Sequence, residues 1–94
     1  MDIRQALGQA IRLVRKQKGL TQEEFDEVSS RTYMSTLERG LKSPTIDKLG
    51  EIAGVMGISP AALVCLAYAI QRQDNKTELL EEVALEVRQF LEGP

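Results

Sequence analysis

Ninety-four residues, 43 % apolar and 28 % charged, suffice for one small domain with a modest core and are too apolar for a disordered chain. The chain has no histidine and a single cysteine, Cys65; this removes the commonest general base and metal ligand, excludes a disulfide framework and argues against an enzyme. The net charge of −2 speaks against indiscriminate nucleic-acid binding, yet residues 1–42 carry eight Lys/Arg against six Asp/Glu while residues 71–94 carry three against six, so a basic front is followed by an acidic end.

The first predicted helix spans about Ile3 to Lys18, with Ile3, Ala6, Leu7, Ala10, Ile11 and Val14 on one stripe and Arg12, Arg15, Lys16 and Lys18 in its last turns, where cations suit the helix dipole; Gly19 stops it. Thr21 with Glu24 three residues on forms a capping box for a second helix reaching about Val28, with Phe25 and Val28 inward. Ser29 or Ser30 caps a third, about Arg31 to Arg39, with Met34 and Leu37 inward and Gly40 at its end. A fourth, capped by Thr45, reaches about Met56 with Ile46, Leu49, Ile52, Ala53 and Met56 on its inner face. Ser59-Pro60 starts a fifth that runs to about Gln73. Asn75 and Glu78 mark the start of a sixth, with Leu80, Val83, Ala84, Val87 and Leu91 on one stripe. No strand alternation or hairpin signal occurs, so the fold class is all-α.

The N-terminus is not a signal peptide, since no basic segment leads into an apolar run. The longest apolar run, Ala61 to Ile70, is about half of a bilayer span. A soluble, cytoplasmic protein is expected. No Gly-rich phosphate loop, nucleophile motif or paired inward carboxylates appear, so neither enzyme activity nor a cofactor is expected.

The third predicted helix carries the most information. Outside Met34 and Leu37, its surface is Arg31, Thr32, Tyr33, Ser35, Thr36 and Arg39. Arginine pairs with guanine, hydroxyls hydrogen-bond flexibly and the threonine methyl meets the thymine methyl, so such a face can read base edges. The same composition also fits an ordinary solvated helix face.

A resemblance separates the two readings. IRLVRKQKGLTQEEF at 11–25, STLERG at 35–40 and SPTIDKLGEIAGVMGISP at 43–60 resemble, in order and spacing, the helix-turn-helix domain of the Cro/CI (Xre-type) family of bacterial and phage regulators, over about two-thirds of the chain. The resemblance implies a five-helix, lambda-repressor-like DNA-binding domain in residues 1–73 with its motif at about 21–40, plus an additional C-terminal helix in 74–94. It implies a homodimer on a palindromic operator in double-stranded DNA, with the third helix in the major groove. Arg31, Thr32 and Thr36 then fall at base-facing positions, and Gln22, Tyr33, Ser35, Arg39, Lys42 and Ser43 at backbone-contacting ones. Arg15 and Glu38 match a structural pair. One departure stands out: FDEVSSRTYMS lacks the family's turn glycine and is about two residues short, and Asp26 stands near the usual small alanine.

The fifth predicted helix is apolar on every side and should be buried all round. Either the sixth helix covers it or a second copy does, through Leu63, Leu66, Ile70, Leu80, Val83, Val87 and Leu91. Glu81, Glu82, Glu86 and Glu92 would be repelled by phosphate, so this end should point away from DNA. The leading expectation is a sequence-specific repressor without an effector domain. A restriction–modification controller, an antitoxin that also binds a toxin, and an interaction module that keeps the fold without binding DNA are the alternatives.

Overall fold

Capping side chains set where the helices begin. The computed structural model describes residues 1–73 and 76–93, with Lys76 described by its backbone alone. In chain order the elements are α1 (Ile3–Gln17), a 3₁₀ helix (Gln22–Phe25), α2 (Arg31–Glu38), α3 (Ile46–Met56), α4 (Pro60–Arg72) and α5 (Lys76–Glu92). Asp2 and Gln5 close a reciprocal box at the start of α1, the Asp2 carboxylate accepting from the Gln5 N–H at 2.9 Å and the Gln5 side chain from the Asp2 N–H at 3.1 Å. The Ser30, Thr45 and Ser59 hydroxyls each accept one backbone N–H at the heads of α2, α3 and α4. The helix start expected at Asn75 lies outside the described residues.

The second expected helix, Thr21 to Val28, is corrected to a single 3₁₀ turn. Its box does form, with the Thr21 N–H donating to the Glu24 carboxylate at 2.7 Å. An α-helix through Val28 would bring Glu23 beside Asp26 and Glu27, and Glu24 beside Glu27, stacking like charges at spacings of three and four. Val28 and Ser29 add little helix propensity. The chain therefore turns at Phe25, whose carbonyl accepts from both the Val28 and Ser29 N–H groups at 2.9 Å.

The core is built by α1 to α4 and the 3₁₀ helix: Ala10 and Ile11 of α1, Phe25 of the 3₁₀ helix, Met34 and Leu37 of α2, Leu49, Ile52, Ala53 and Met56 of α3, and Leu63 and Ala67 of α4. Two expectations fail at its edges. Ile46, expected on the inner face of α3, is 85 % exposed, because it occupies the first helical position, one turn beyond the nearest packed neighbour. The helix expected to be buried all round, α4, buries only Leu63, Ala67 and Ala69; Ala61, Ala62 and Tyr68 face outward. Its strongest packing is against α1, with α5 joining at its end. There Arg72 donates two hydrogen bonds to the Glu82 carboxylate, at 3.0 and 3.2 Å. Among the described residues no single helix is long and apolar enough to cross a membrane.

Two glycines permit close approach. A Cβ at Gly8 would lie 2.5 Å from the Leu37 carbonyl oxygen and 2.7 Å from that of Glu38, so α1 and the end of α2 meet backbone to backbone. Gly40 combines a φ of +75° with a would-be Cβ 2.7 Å from the Gln5 Cα. By contrast, Gly54 in α3 has open space around it. Gly8→Ala is expected to lose about 1–3 kcal/mol in urea unfolding, while Gly54→Ala gains about 0.5–1 kcal/mol from helix propensity alone.

The hydrogen bond from Arg72, aided by its charge, holds the Glu82 carboxyl below the usual carboxylate range. A depressed folded pKa contributes stability above the ordinary value, and that contribution is lost as pH falls through the depressed one. Amide protection factors along α5 should accordingly drop below about pH 4, and Glu82→Gln should flatten that dependence.

Candidate nucleic-acid interface

Helix α2 is held from below and left open above. Met34 and Leu37 are buried, Gly8 lets its last carbonyls rest on α1, and Ser30, rather than Ser29, caps it with a 3.1 Å bond from the Tyr33 N–H. The short, glycine-free turn before it is closed from another element. Lys48 of α3 donates its ammonium to the Val28 carbonyl, satisfying an acceptor that the truncated helix leaves open. Lys48 has no sequence signature for this role, whereas a glycine inside an amphipathic helix, as at Gly8, is a legible packing signal.

A second tie joins α2 to α1. Arg15 donates from Nε to Glu38 Oε2 at 2.7 Å and from Nη2 to Oε1 at 2.9 Å, and its Nη1 reaches the Leu20 carbonyl at 2.9 Å. Both side chains are largely shielded, at 11 % and 3 % exposed. The hydrogen bond to Glu38, with the pair's Coulomb attraction, raises the Arg15 pKa despite the opposing desolvation. Gln22 also turns toward this pair, its Nε2 donating to Glu38 Oε1 at 3.3 Å. One carboxylate thus links α1, the 3₁₀ helix and α2.

The outward residues of α2 differ in freedom. Arg31 and Thr32 are exposed at its head, and Arg31 donates to the Glu23 carboxylate at 3.0 Å, an exposed pair worth about 0–1 kcal/mol. Thr36 is half-buried and donates its hydroxyl proton to the Thr32 carbonyl at 2.8 Å, leaving its methyl and oxygen lone pairs for any contact. Tyr33 packs its ring partly against the core, and Ser35 is half-buried. Arg39 is exposed with its Nε 3.4 Å from the Ser35 carbonyl, and Lys42 and Ser43 are exposed in the following loop. Cations therefore sit at both ends of the exposed face. Glu23, Glu24, Asp26 and Glu27 make the preceding 3₁₀ segment acidic, and Glu23, absent from the residues the sequence points to, joins the site through Arg31.

Of the residues expected between two copies, Leu63 is corrected. It is 0 % exposed within one chain, because α4 turns it toward α1 and α3, and so cannot meet a partner. Leu66, Ile70 and Val83 are half-buried, whereas Leu80, Val87 and Leu91 are exposed.

Removing one member of the shielded pair strands the other. Glu38→Ala is expected to cost about 3–5 kcal/mol in denaturant unfolding, and the apolar double replacement Arg15→Met with Glu38→Leu to recover most of it.

Comparison with known proteins agrees with this architecture. Residues 11–63 match the helix-turn-helix family. An HTH-type transcriptional regulator of Sinorhizobium fredii, y4dJ, is 44 % identical over 66 residues, covering 68 % of this chain and 86 % of that protein. The immunity repressor protein of Bacillus phage phi105 is 32 % identical over 78 residues, which is 81 % of this chain and 54 % of the repressor. Among solved structures, the clp gene regulator ClgR from Corynebacterium glutamicum superimposes with a TM-score of 0.71 at 30 % identity, over 95 % of this chain and 98 % of that one. Taken with the anchored α2 and its polar outer face, these similarities establish that the chain belongs to the Cro/CI (Xre-type) helix-turn-helix family of DNA-binding transcriptional regulators.

Proposed function

We propose that this regulator is a repressor that binds a palindromic operator as a homodimer, with α2 of each copy in the major groove. One observation carries the reading. A short helix is fixed by Met34, Leu37, Gly8 and the Arg15–Glu38 pair, while Arg31, Thr32 and the Thr36 methyl remain on its outer side. Base readout needs this combination of a rigid mount and free polar tips.

In this reading Arg31, Thr32 and Thr36 contact base edges. Arg39, Lys42 and Ser43 hold phosphates beyond the C-terminal end of α2, with Ser35 and Tyr33 beside them. Gln22 reaches a phosphate while remaining close to Glu38. The four acidic residues at 23–27 repel the backbone, so the cationic end supplies most of the phosphate attraction. Arg31 exchanges Glu23 for a guanine edge at little cost, since the exposed pair is weak. The name of the phage immunity repressor supports repression as the outcome. The exposed cations Arg31, Arg39 and Lys42 favour DNA over a pure interaction module, for which a neutral or acidic face would be expected.

The test is binding to a palindrome from the protein's own promoter region, followed by fluorescence anisotropy. Arg31→Ala and Thr36→Ala should each weaken specific binding by about 1–3 kcal/mol and relax preference at one base position. Lys42→Ala should weaken all sequences alike and lower the salt slope by about one unit. Full-strength binding by both α2 variants, with the fold intact, overturns the assignment of α2 as the reader.

A further inference from the structure

The 3₁₀ helix reaches the outward face of α2 through one side chain, Glu23. Its Oε1 accepts from Arg31 Nη2 at 3.0 Å across eight positions of sequence. Both side chains stand in solvent, Arg31 at 62 % and Glu23 at 63 % exposed. The local fold makes no use of this carboxylate. Glu24 closes the capping box by accepting from the Thr21 N–H, and Gln22 is turned toward Glu38. Among the described residues Glu23 Oε2 accepts no hydrogen bond.

The chemistry of the major groove limits what such a group can meet. An ionised carboxylate only accepts hydrogen bonds. Guanine N7 and O6 and thymine O4 are acceptors as well, and the phosphates are anions, so all of these repel it. The donors in the groove are the amino groups of adenine and cytosine. Adenine sets its N7 acceptor beside that donor, whereas cytosine offers the donor alone. Arg31 has the opposite preference, for guanine O6 and N7. In a G·C pair the guanine O6 and the cytosine amino group lie side by side, and successive bases on a strand are about 3.4 Å apart. The 3.0 Å between Nη2 and Oε1 is close to that spacing. The ion pair therefore carries a donor and an acceptor at the separation of neighbouring base edges.

We propose that Glu23 is a specificity-determining residue: as Arg31 moves to guanine, the Glu23 carboxylate accepts from the 4-amino group of a cytosine in the same or an adjoining base pair. The inference rests on α2 as the reader and adds a side chain from the 3₁₀ helix to the reading surface. Two features support it. The exposed pair opens at little cost, and each charge then finds a complementary group in the groove, so neither is left unmet. The sign of the charge also acts away from the operator. Where no cytosine faces it, the carboxylate only repels phosphate, so Glu23 strengthens one site and weakens binding to unrelated sequence.

The experiment uses the full chain and a palindromic duplex from the protein's own promoter region. The position at which Arg31→Ala relaxes base preference marks the guanine. Cytosines in that pair and in the pairs on either side are then replaced singly by 2-pyrimidinone, which lacks the 4-amino group. The wild-type chain should lose about 10-fold in affinity at one of these positions. Glu23→Ala, with helical circular dichroism retained, should bind the natural and the substituted duplex about equally. Release of Arg31 and loss of phosphate repulsion act on both duplexes alike and cancel in that ratio. On unrelated DNA Glu23→Ala should bind more tightly than the wild-type chain. A wild-type chain indifferent to every substituted cytosine, or a ratio that Glu23→Ala leaves unchanged, overturns the role of Glu23. If Arg31→Ala weakens operator binding in that same experiment, the failure belongs to Glu23 alone. Full-strength operator binding by Arg31→Ala overturns α2 as the reader and the role of Glu23 with it.

Discussion

The attachment of α2 to α1 decides what the rest of the structure can do. An eight-residue helix is too short to be stable alone, so it exists because α1 offers a seat. That seat has two parts. Gly8 lets the backbones touch, and Arg15 spans the remaining gap to grip Glu38 with two hydrogen bonds while holding the Leu20 carbonyl with a third. Burial of the pair is tolerable because each charge finds its opposite in good geometry and no buried side-chain polar atom among the described residues is left without a partner. The same carboxylate collects Gln22, so the 3₁₀ helix is positioned by the contact that positions α2. Loss of that contact would cost the outward face its orientation even if the apolar core survived.

Much of this was legible in the sequence, because the features responsible are local. Periodicity at three and four, with Ser, Thr or Pro at helix starts, located α1, α2, α3 and α4. The resemblance to a known family supplied Arg15 and Glu38, which no periodicity could have paired across 23 positions. What was missed depends on neighbours. The helix expected from Thr21 to Val28 obeyed its capping signal but ignored the like charges that stack when it is wound. Ile46 fitted the spacing of α3 yet lies beyond the last neighbour that could cover it. Leu63 was placed at an interface because α4 is apolar on every side, a pattern that cannot say which residue turns inward. Lys48 acts on a carbonyl that is open only because the preceding helix is truncated, so its role could not be read before that truncation was known.

The distribution of charge explains how an acidic chain can serve as a DNA-binding one. The carboxylates are concentrated in the 3₁₀ segment and along α5, and the cations in α1 and at the two ends of α2. The acidic segment lies directly beside the polar face, where it weakens attraction to phosphate in general. If α2 reads an operator as proposed, contacts with particular bases then count for a larger share of the total. Net charge alone would have concealed this, since it averages over regions that never act on the same partner.

The division of α2 into a fixed inner side and a free outer side has a consequence for how such a protein can change. The inner side is committed: Gly8 admits no side chain, Met34 and Leu37 fill the core, and Glu38 is bound on both oxygens. Arg31 and Thr32 touch little beyond an exposed partner or solvent. Replacing them alters what the surface presents while folding stability stays nearly constant, since surface substitutions away from packed features fall within about 0.5 kcal/mol. On the proposed reading of α2, the helix is thus a keyed insert in a fixed socket, and new targets are reached one outward residue at a time without first acquiring a more stable scaffold.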